Sequence, residues 1–234
     1  LGLGVTSVYP WAVSGAMEHG HLHQKVAWLN VPFFMARGAV ILLVWLGIVY
    51  VLGRGLVYTI QRPSPEATRR LVAISAISIV VLAITISVAF WDWTMSLEPE
   101  WFSTVYGVYG FAGALQGGMA AVAVFAIYRA RQEGRSVDPG VLHDLGKLLF
   151  AFSMFWAYIW FCEYMLIWYA NLPEETPHYI IRFSRGWSTL FWLNPILNCA
   201  APFLVRMPAG TKRRPSVLFH VCRAVLVCRS ILIF

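Results

Sequence analysis

Residues 145–170 form one apolar, aromatic-rich run, LGKLLFAFSMFWAYIWFCEYMLIWYA. At about 1.5 Å per residue a helix of that length crosses a hydrocarbon layer roughly 30 Å thick. His143, Asp144 and Lys147 stand at its entry, and Glu174 and Glu175 follow its exit. One carboxylate, Glu163, lies inside it. A chain holding such a segment must satisfy its backbone internally, so the fold is a helix that spans a membrane.

The rest of the sequence repeats the pattern. Apolar segments also occupy residues 31–53, 71–93, 105–128, 187–205 and 217–234. With 59% hydrophobic and 12% charged residues, and a mean hydropathy of +0.65, the chain cannot dress a soluble surface. We therefore expect an all-α, polytopic transmembrane bundle of six spans forming one integral membrane domain over 1–234. The chain opens at Leu1 without Met and closes at Phe234 inside an apolar run, which reads as a fragment of a longer protein.

The net charge of +7 does not point to nucleic acid, because the charges lie in short connections between apolar runs. Arg54, Arg62, Arg69 and Arg70 separate the first two spans. Arg129, Arg131 and Arg135 precede the fourth, and Arg206, Lys212, Arg213 and Arg214 follow the fifth. The alternate connections carry Asp92, Glu98 and Glu100, then Glu174 and Glu175 with Arg182 and Arg185. The positive-inside rule then puts the arginine-rich loops in the cytoplasm and residues 1–30, 94–104 and 171–186 outside. Trp91, Trp93, Trp101, Tyr106, Trp168, Tyr169 and Trp187 cluster at the outer ends, as an interfacial aromatic belt does. Gly113 and Gly117 make a G-x-x-x-G pair suited to close helix packing.

Several residues carry candidate chemistry. Glu163 lies roughly 10 Å from the membrane edge at ~1.5 Å per residue, where a carboxylate pairs, meets water or stays protonated. That suits proton transfer, or a hydrogen-bonded helix contact. Ser78, Thr85 and Asp92 recur every seven residues, within ~20° of two helical turns, and make one polar stripe. Such a stripe fits a hydrated half-channel ending at Asp92, or hydroxyls bonded to backbone carbonyls between packed helices. His143, Asp144 and Lys147 are spaced to share a helix face, as a proton entry or as a dipole-matched helix start.

Metal and redox centres find little support in the sequence. Cys162, Cys199, Cys222 and Cys228 show no C-x-x-C pair, so no iron–sulfur or structural zinc ligand set is visible. His19, His21 and His23 alternate in the outer N-terminal stretch without a second ligand group. His143, His178 and His220 lie near ends or in connections, away from where a haem between spans needs axial ligands. No cofactor is expected on this chain, and any redox centre belongs to partner subunits.

Two stretches resemble a known family. The run DWTMSLEPEWFST from Asp92, followed by GVYGFAG from Gly107, is similar to the F-family membrane subunits of alternative complex III. So are HDLGKLLFAF from His143 and WYANLPEET from Trp168, with Lys25, Leu29, Asn30, Phe33, Phe34, Arg37, Pro202, Phe203, Lys212 and Arg213. This is a branch of the polysulfide-reductase-type (NrfD-like) membrane proteins, and the likeness covers nearly the whole chain.

The resemblance implies a ten-helix fold, of which this chain covers about helices four to nine. It implies a bacterial inner-membrane component of a quinol:acceptor oxidoreductase, partnered by an NrfD-like sister subunit, an iron–sulfur subunit and haem c subunits. Glutamine is implied at position 163, where this chain has glutamate. Independently of the resemblance, the polar residues line up as a proton path from His143, Asp144 and Lys147 through Glu163, Ser78 and Thr85 to Asp92 and Glu98. A quinone or menaquinone, if held here, lies beside Trp91, Trp156 or Trp160. The rival readings are a secondary transporter and a purely structural membrane anchor.

Overall fold

The computed structural model describes residues 8–13, 25–184, 186–200 and 215–231. Among these the secondary structure is helical, with no strand. Two compact units divide the chain, Leu1–Gly107 and Val108–Phe234.

The first unit is built on a long hairpin of α1 (Val31–Gln61) and α2 (Pro65–Trp93). Asn30 starts α1 by accepting a hydrogen bond from the Phe33 amide at 3.0 Å. Pro63 stops it, since a proline disfavours helical geometry in the residue before it. Ser64 then caps α2, its hydroxyl oxygen accepting from the Ala67 amide at 3.1 Å, with Pro65 in the first turn and Glu66 favoured by the dipole. Only Arg62, Pro63 and Ser64 lie between the helices, so the chain must double back.

Contacts along the hairpin show an antiparallel pair. The Trp45 indole donates to Thr85 Oγ1 at 2.9 Å and its ring meets Trp93 edge-on at 5.7 Å. A Cβ on Gly55 would stand 3.0 Å from Leu71, and one on Gly38 would stand 3.7 Å from the Trp93 indole nitrogen. After α2, a 3-10 turn at Met95–Leu97 reverses the chain towards α3 (Val105–Gln132).

In the second unit α3 ends in a Schellman turn. Gly134 takes a φ of 64°, Arg135 N donates to Ala130 O at 2.8 Å, and Gly134 N donates to Arg131 O at 3.2 Å. Asp138 caps α4 (Pro139–Ala170), accepting from Gly140 N at 2.8 Å. Asn171 closes that helix in the left-handed region, with φ 48°. A short α5 (Thr176–Phe183) follows, then α6 (Trp187–Pro195), which passes into a π-helical turn at Ile196–Ala200. The last element is α7 (Pro215–Ile231). Ala120, Ala123 and Ile127 of α3, Leu142 and Leu149 of α4, and Leu218, Cys222 and Val225 of α7 form the core of this unit.

Among the described residues, four helical stretches are long and apolar enough to cross a membrane: Val31–Gln61, Pro65–Leu97, Val105–Gln132 and Pro139–Ala170. They contain the first four predicted spans, and each is longer than the span it contains. The fifth predicted span falls on α6 and its π turn, with 201–205 outside the described residues. The sixth falls on α7, with 232–234 outside them. Residues 171–186, read as an outer connection, contain the helix α5.

The G-x-x-x-G expectation needs correcting at Gly117. A Cβ there would meet nothing within 4 Å, whereas one on Gly107 would come within 2.9 Å of Ser87 Cβ and 3.0 Å of the Trp91 ring. The backbone approach that demands glycine is at Gly107, where Ser87 Oγ donates to the Gly107 carbonyl at 3.2 Å.

Candidate functional site

Arg37 lies six residues into α1, roughly 9 Å along the axis at ~1.5 Å per residue, inside the first predicted span. A cation at such a position needs a partner. It finds Asp92 on the last turn of α2: Arg37 Nε donates to Asp92 Oδ2 at 2.8 Å and Nη2 donates to Oδ1 at 2.9 Å. The bidentate fork matches carboxylate geometry. Asp92 is fully buried, and its Oδ1 accepts a third bond from the Trp28 indole at 2.9 Å.

Arg37 is held on its other sides too. Its Nη1 donates to the Trp28 carbonyl at 3.1 Å, and its guanidinium carbon sits 4.0 Å from the Trp28 ring centroid and 4.3 Å from that of Phe33. Ser96 Oγ donates to the Asp92 carbonyl, and Tyr9 OH donates to the Trp93 carbonyl at 3.1 Å. Lys25 Nζ donates to the Pro99 carbonyl at 2.6 Å and lies 5.5 Å from the Phe102 ring. Burial pushes the Lys25 ammonium below its ordinary pKa, opposed by Glu100. Burial raises the Tyr9 hydroxyl, and the Asp92 charge adds to that. Together these contacts clasp the segment before α1 to the turn after α2.

The rest of the polar stripe is inward-bonded. Ser78 Oγ donates to Ile74 O at 2.8 Å and Thr85 Oγ1 to Val81 O at 2.8 Å, while Thr85 also accepts from Trp45. Glu98 helps shape the turn through its backbone, its N–H donating to Met95 O at 3.1 Å. Trp91 lies against Gly107.

The second unit holds His143, Asp144, Lys147, Glu163, Trp156 and Trp160. Lys147 Nζ donates to Asp144 Oδ1 at 3.2 Å, an exposed pair three residues apart. His143 is half-buried on the same turn. Glu163 is buried on α4 and acts electrostatically on Tyr179 of α5. The Tyr179 hydroxyl is raised far above its ordinary pKa, first by burial and next by Glu163.

Rings crowd this end of α4. Tyr164 meets Tyr179 at 5.3 Å, Trp160 meets Phe191 at 5.4 Å, and Phe183 meets Phe191 at 4.8 Å. Trp156 is fully buried, 5.5 Å from Tyr109.

Two features escaped the sequence reading as site elements. The first is Arg37 as the counter-ion of Asp92; the signal was an arginine within an apolar span. The second is a buried polar seam in the second unit. Gln116 Nε2 donates to Ser153 Oγ at 2.9 Å and to the Asn198 carbonyl at 2.6 Å, and Ser153 Oγ donates to Leu149 O at 2.7 Å. Asn198 Nδ2 donates to Asn194 Oδ1 at 2.6 Å and to Asn194 O at 3.0 Å. Gln116 and Asn198 are wholly buried and Ser153 nearly so. Pro195 lacks an N–H and interrupts α6 beside the π turn, a combination common where helices carry function. Its signal was Asn194, Pro195 and Asn198 within one apolar run.

Among the described residues no three His, Cys, Asp or Glu side chains gather into a metal site. His19, His21 and His23 lie outside those residues, as do Arg206, Lys212, Arg213 and Arg214. No family model matches the chain, and no curated protein matches it.

Proposed function

We propose that the chain is a transmembrane component of a quinol-oxidising respiratory complex of the alternative complex III type. It has six spans, with its arginine-rich connections on the cytoplasmic side of a bacterial inner membrane. In this reading it holds no redox centre, and iron–sulfur, haem c and NrfD-like sister subunits carry the electrons.

The observation that supports the reading most is the clasp. Residues that carry the resemblance in two separate stretches, Lys25 and Arg37 in one and Asp92, Pro99 and Phe102 in the other, meet directly.

Within the complex the chain contributes a membrane wall and a proton-handling group. Asp92, bound by Arg37 twice and by Trp28 once, acts as an anchor for the outer turn. Glu163, buried on α4 and acting on Tyr179, is in this reading the group that exchanges a proton. His143, Asp144 and Lys147 provide its cytoplasmic mouth. In the first unit, Ser78 and Thr85 make a polar line of their own, with Glu98 beyond its outer end. Trp156 and Trp160 pack against other rings, so a quinone between them would displace those contacts. We assign quinol oxidation to a partner subunit.

Glu163→Gln restores the residue that the resemblance implies, and it tests the proton role directly. In vesicles containing the purified complex, the variant is expected to lower proton release per quinol while electron transfer to the acceptor continues. An unchanged ratio removes Glu163 from the mechanism.

One observation favours a second reading. The interrupted helix at Pro195, with Gln116, Ser153 and Asn198 buried beside it, is the type of feature on which secondary transporters build substrate sites. Purification of the chain without iron or haem, together with solute uptake by vesicles containing it, would establish that class.

A further inference from the structure

At the α1–α2 hairpin, the end of the first unit opposite the Arg37–Asp92 clasp, lies a cavity of about 180 Å³. Its lining combines polar side chains, Thr59, Ser64, Glu66 and Arg70 among them, with apolar Leu71 and Ile74. Drug-sized ligands need roughly 300 Å³ or more, so this space suits a small headgroup whose remainder lies outside.

The charges in its lining are arranged unusually. Glu66 and Arg70 are four residues apart with the acid on the N-terminal side, the favoured order for a helical ion pair. Among the described residues they form none, and both side chains are exposed while lining the same cavity. The site therefore offers a cation and an anion to one ligand. Beside these charges the cavity is lined by apolar Leu71 and Ile74, which follow Arg70 along α2 into the predicted span. A ligand with both charges in a small head and an apolar remainder fits that combination.

We propose that this cavity binds the phosphoethanolamine headgroup of a phospholipid. The phosphate meets Arg70, the primary ammonium meets Glu66, and the acyl chains lie along Leu71 and Ile74. Basic pockets at membrane-helix ends bind anionic headgroups by the same attraction. The carboxylate of Glu66 is what turns this one towards a zwitterion, since a quaternary choline has no N–H to donate to it.

The test is lipid retention by the detergent-purified protein, with whatever partners it carries, read by native mass spectrometry. Phosphatidylethanolamine, phosphatidylglycerol and phosphatidylcholine of identical chains are the probes. Phosphatidylethanolamine is expected to be retained about fivefold over phosphatidylcholine, the scale of one net hydrogen bond from the primary ammonium to Glu66.

Arg70→Gln is expected to lower retention of both phosphatidylethanolamine and phosphatidylglycerol. Glu66→Gln is expected to lower the first and spare the second. The exposed Arg135→Gln is expected to change neither. Because Glu66 and Arg70 are exposed and unpaired with one another, both variants should unfold close to the parent temperature, Glu66→Gln slightly below it for loss of the helix-dipole interaction.

Equal retention of phosphatidylethanolamine and phosphatidylcholine would overturn the proposal. So would a preference for phosphatidylglycerol, or a Glu66→Gln variant with an unchanged ratio of the two lipids. Added inorganic phosphate is expected to leave the retained lipid in place, and its complete displacement would reassign the site to free phosphate.

Discussion

Asp92 shows how one buried charge organises its surroundings. Its side chain is fully desolvated, so its stability rests on three donors from two residues. Removing one partner of a buried pair leaves the other uncompensated, which costs several kcal/mol. Asp92→Asn is expected to destabilise the protein by about 3 kcal/mol in detergent unfolding. Arg37→Gln is expected to behave similarly, and the double variant should show a coupling above about 1 kcal/mol. Additive losses would mean the pair is incidental. Gln116→Leu belongs to the same class. It removes the donors to Ser153 and to the Asn198 carbonyl, with an expected loss of about 2 kcal/mol in the same unfolding measurement.

Among the helices, the glycines of α3 separate packing from pattern. Gly107→Ala places a Cβ 2.9 Å from Ser87 and 3.0 Å from Trp91, and overpacking of that kind costs about 1–3 kcal/mol. Gly117→Ala meets open space and gains helix propensity, so it is expected to be neutral or stabilising by up to about 1 kcal/mol. Unfolding midpoints of the two variants check the contrast, and similar shifts would contradict the described packing. The long helices were legible because apolar length is a local signal, whereas their ends at Gln61, Pro65 and Pro139 were not read, although the signals are local too. Pro63 ending α1, Ser64 capping α2 and Asp138 capping α4 all involve residues next to one another in the chain. The Arg37–Asp92 pair was not read as a pair, because its partners lie 55 positions apart and the charge rule attends only to loops. The π turn was missed for a related reason. Pro195 marks a break, but whether the break becomes a loop or a bulge depends on what Asn198 and Gln116 do across helices.

For the molecule as a whole, the apolar surface is the dominant fact. In the most apolar windows of the first two spanning helices only 6% of residues are buried within the chain, so their flanks are left for lipid or for other proteins. That surface marks a membrane protein by composition and length, and it fits a component of a larger assembly. Membership of a quinol-oxidising complex is put to the test by mild-detergent purification of the chain from native membranes, followed by assays of covalently bound haem and non-haem iron. Both cofactors are expected, carried by co-purifying proteins and lost together when the chain is stripped from them. A chain that purifies intact from those membranes with neither iron nor haem would overturn the assignment.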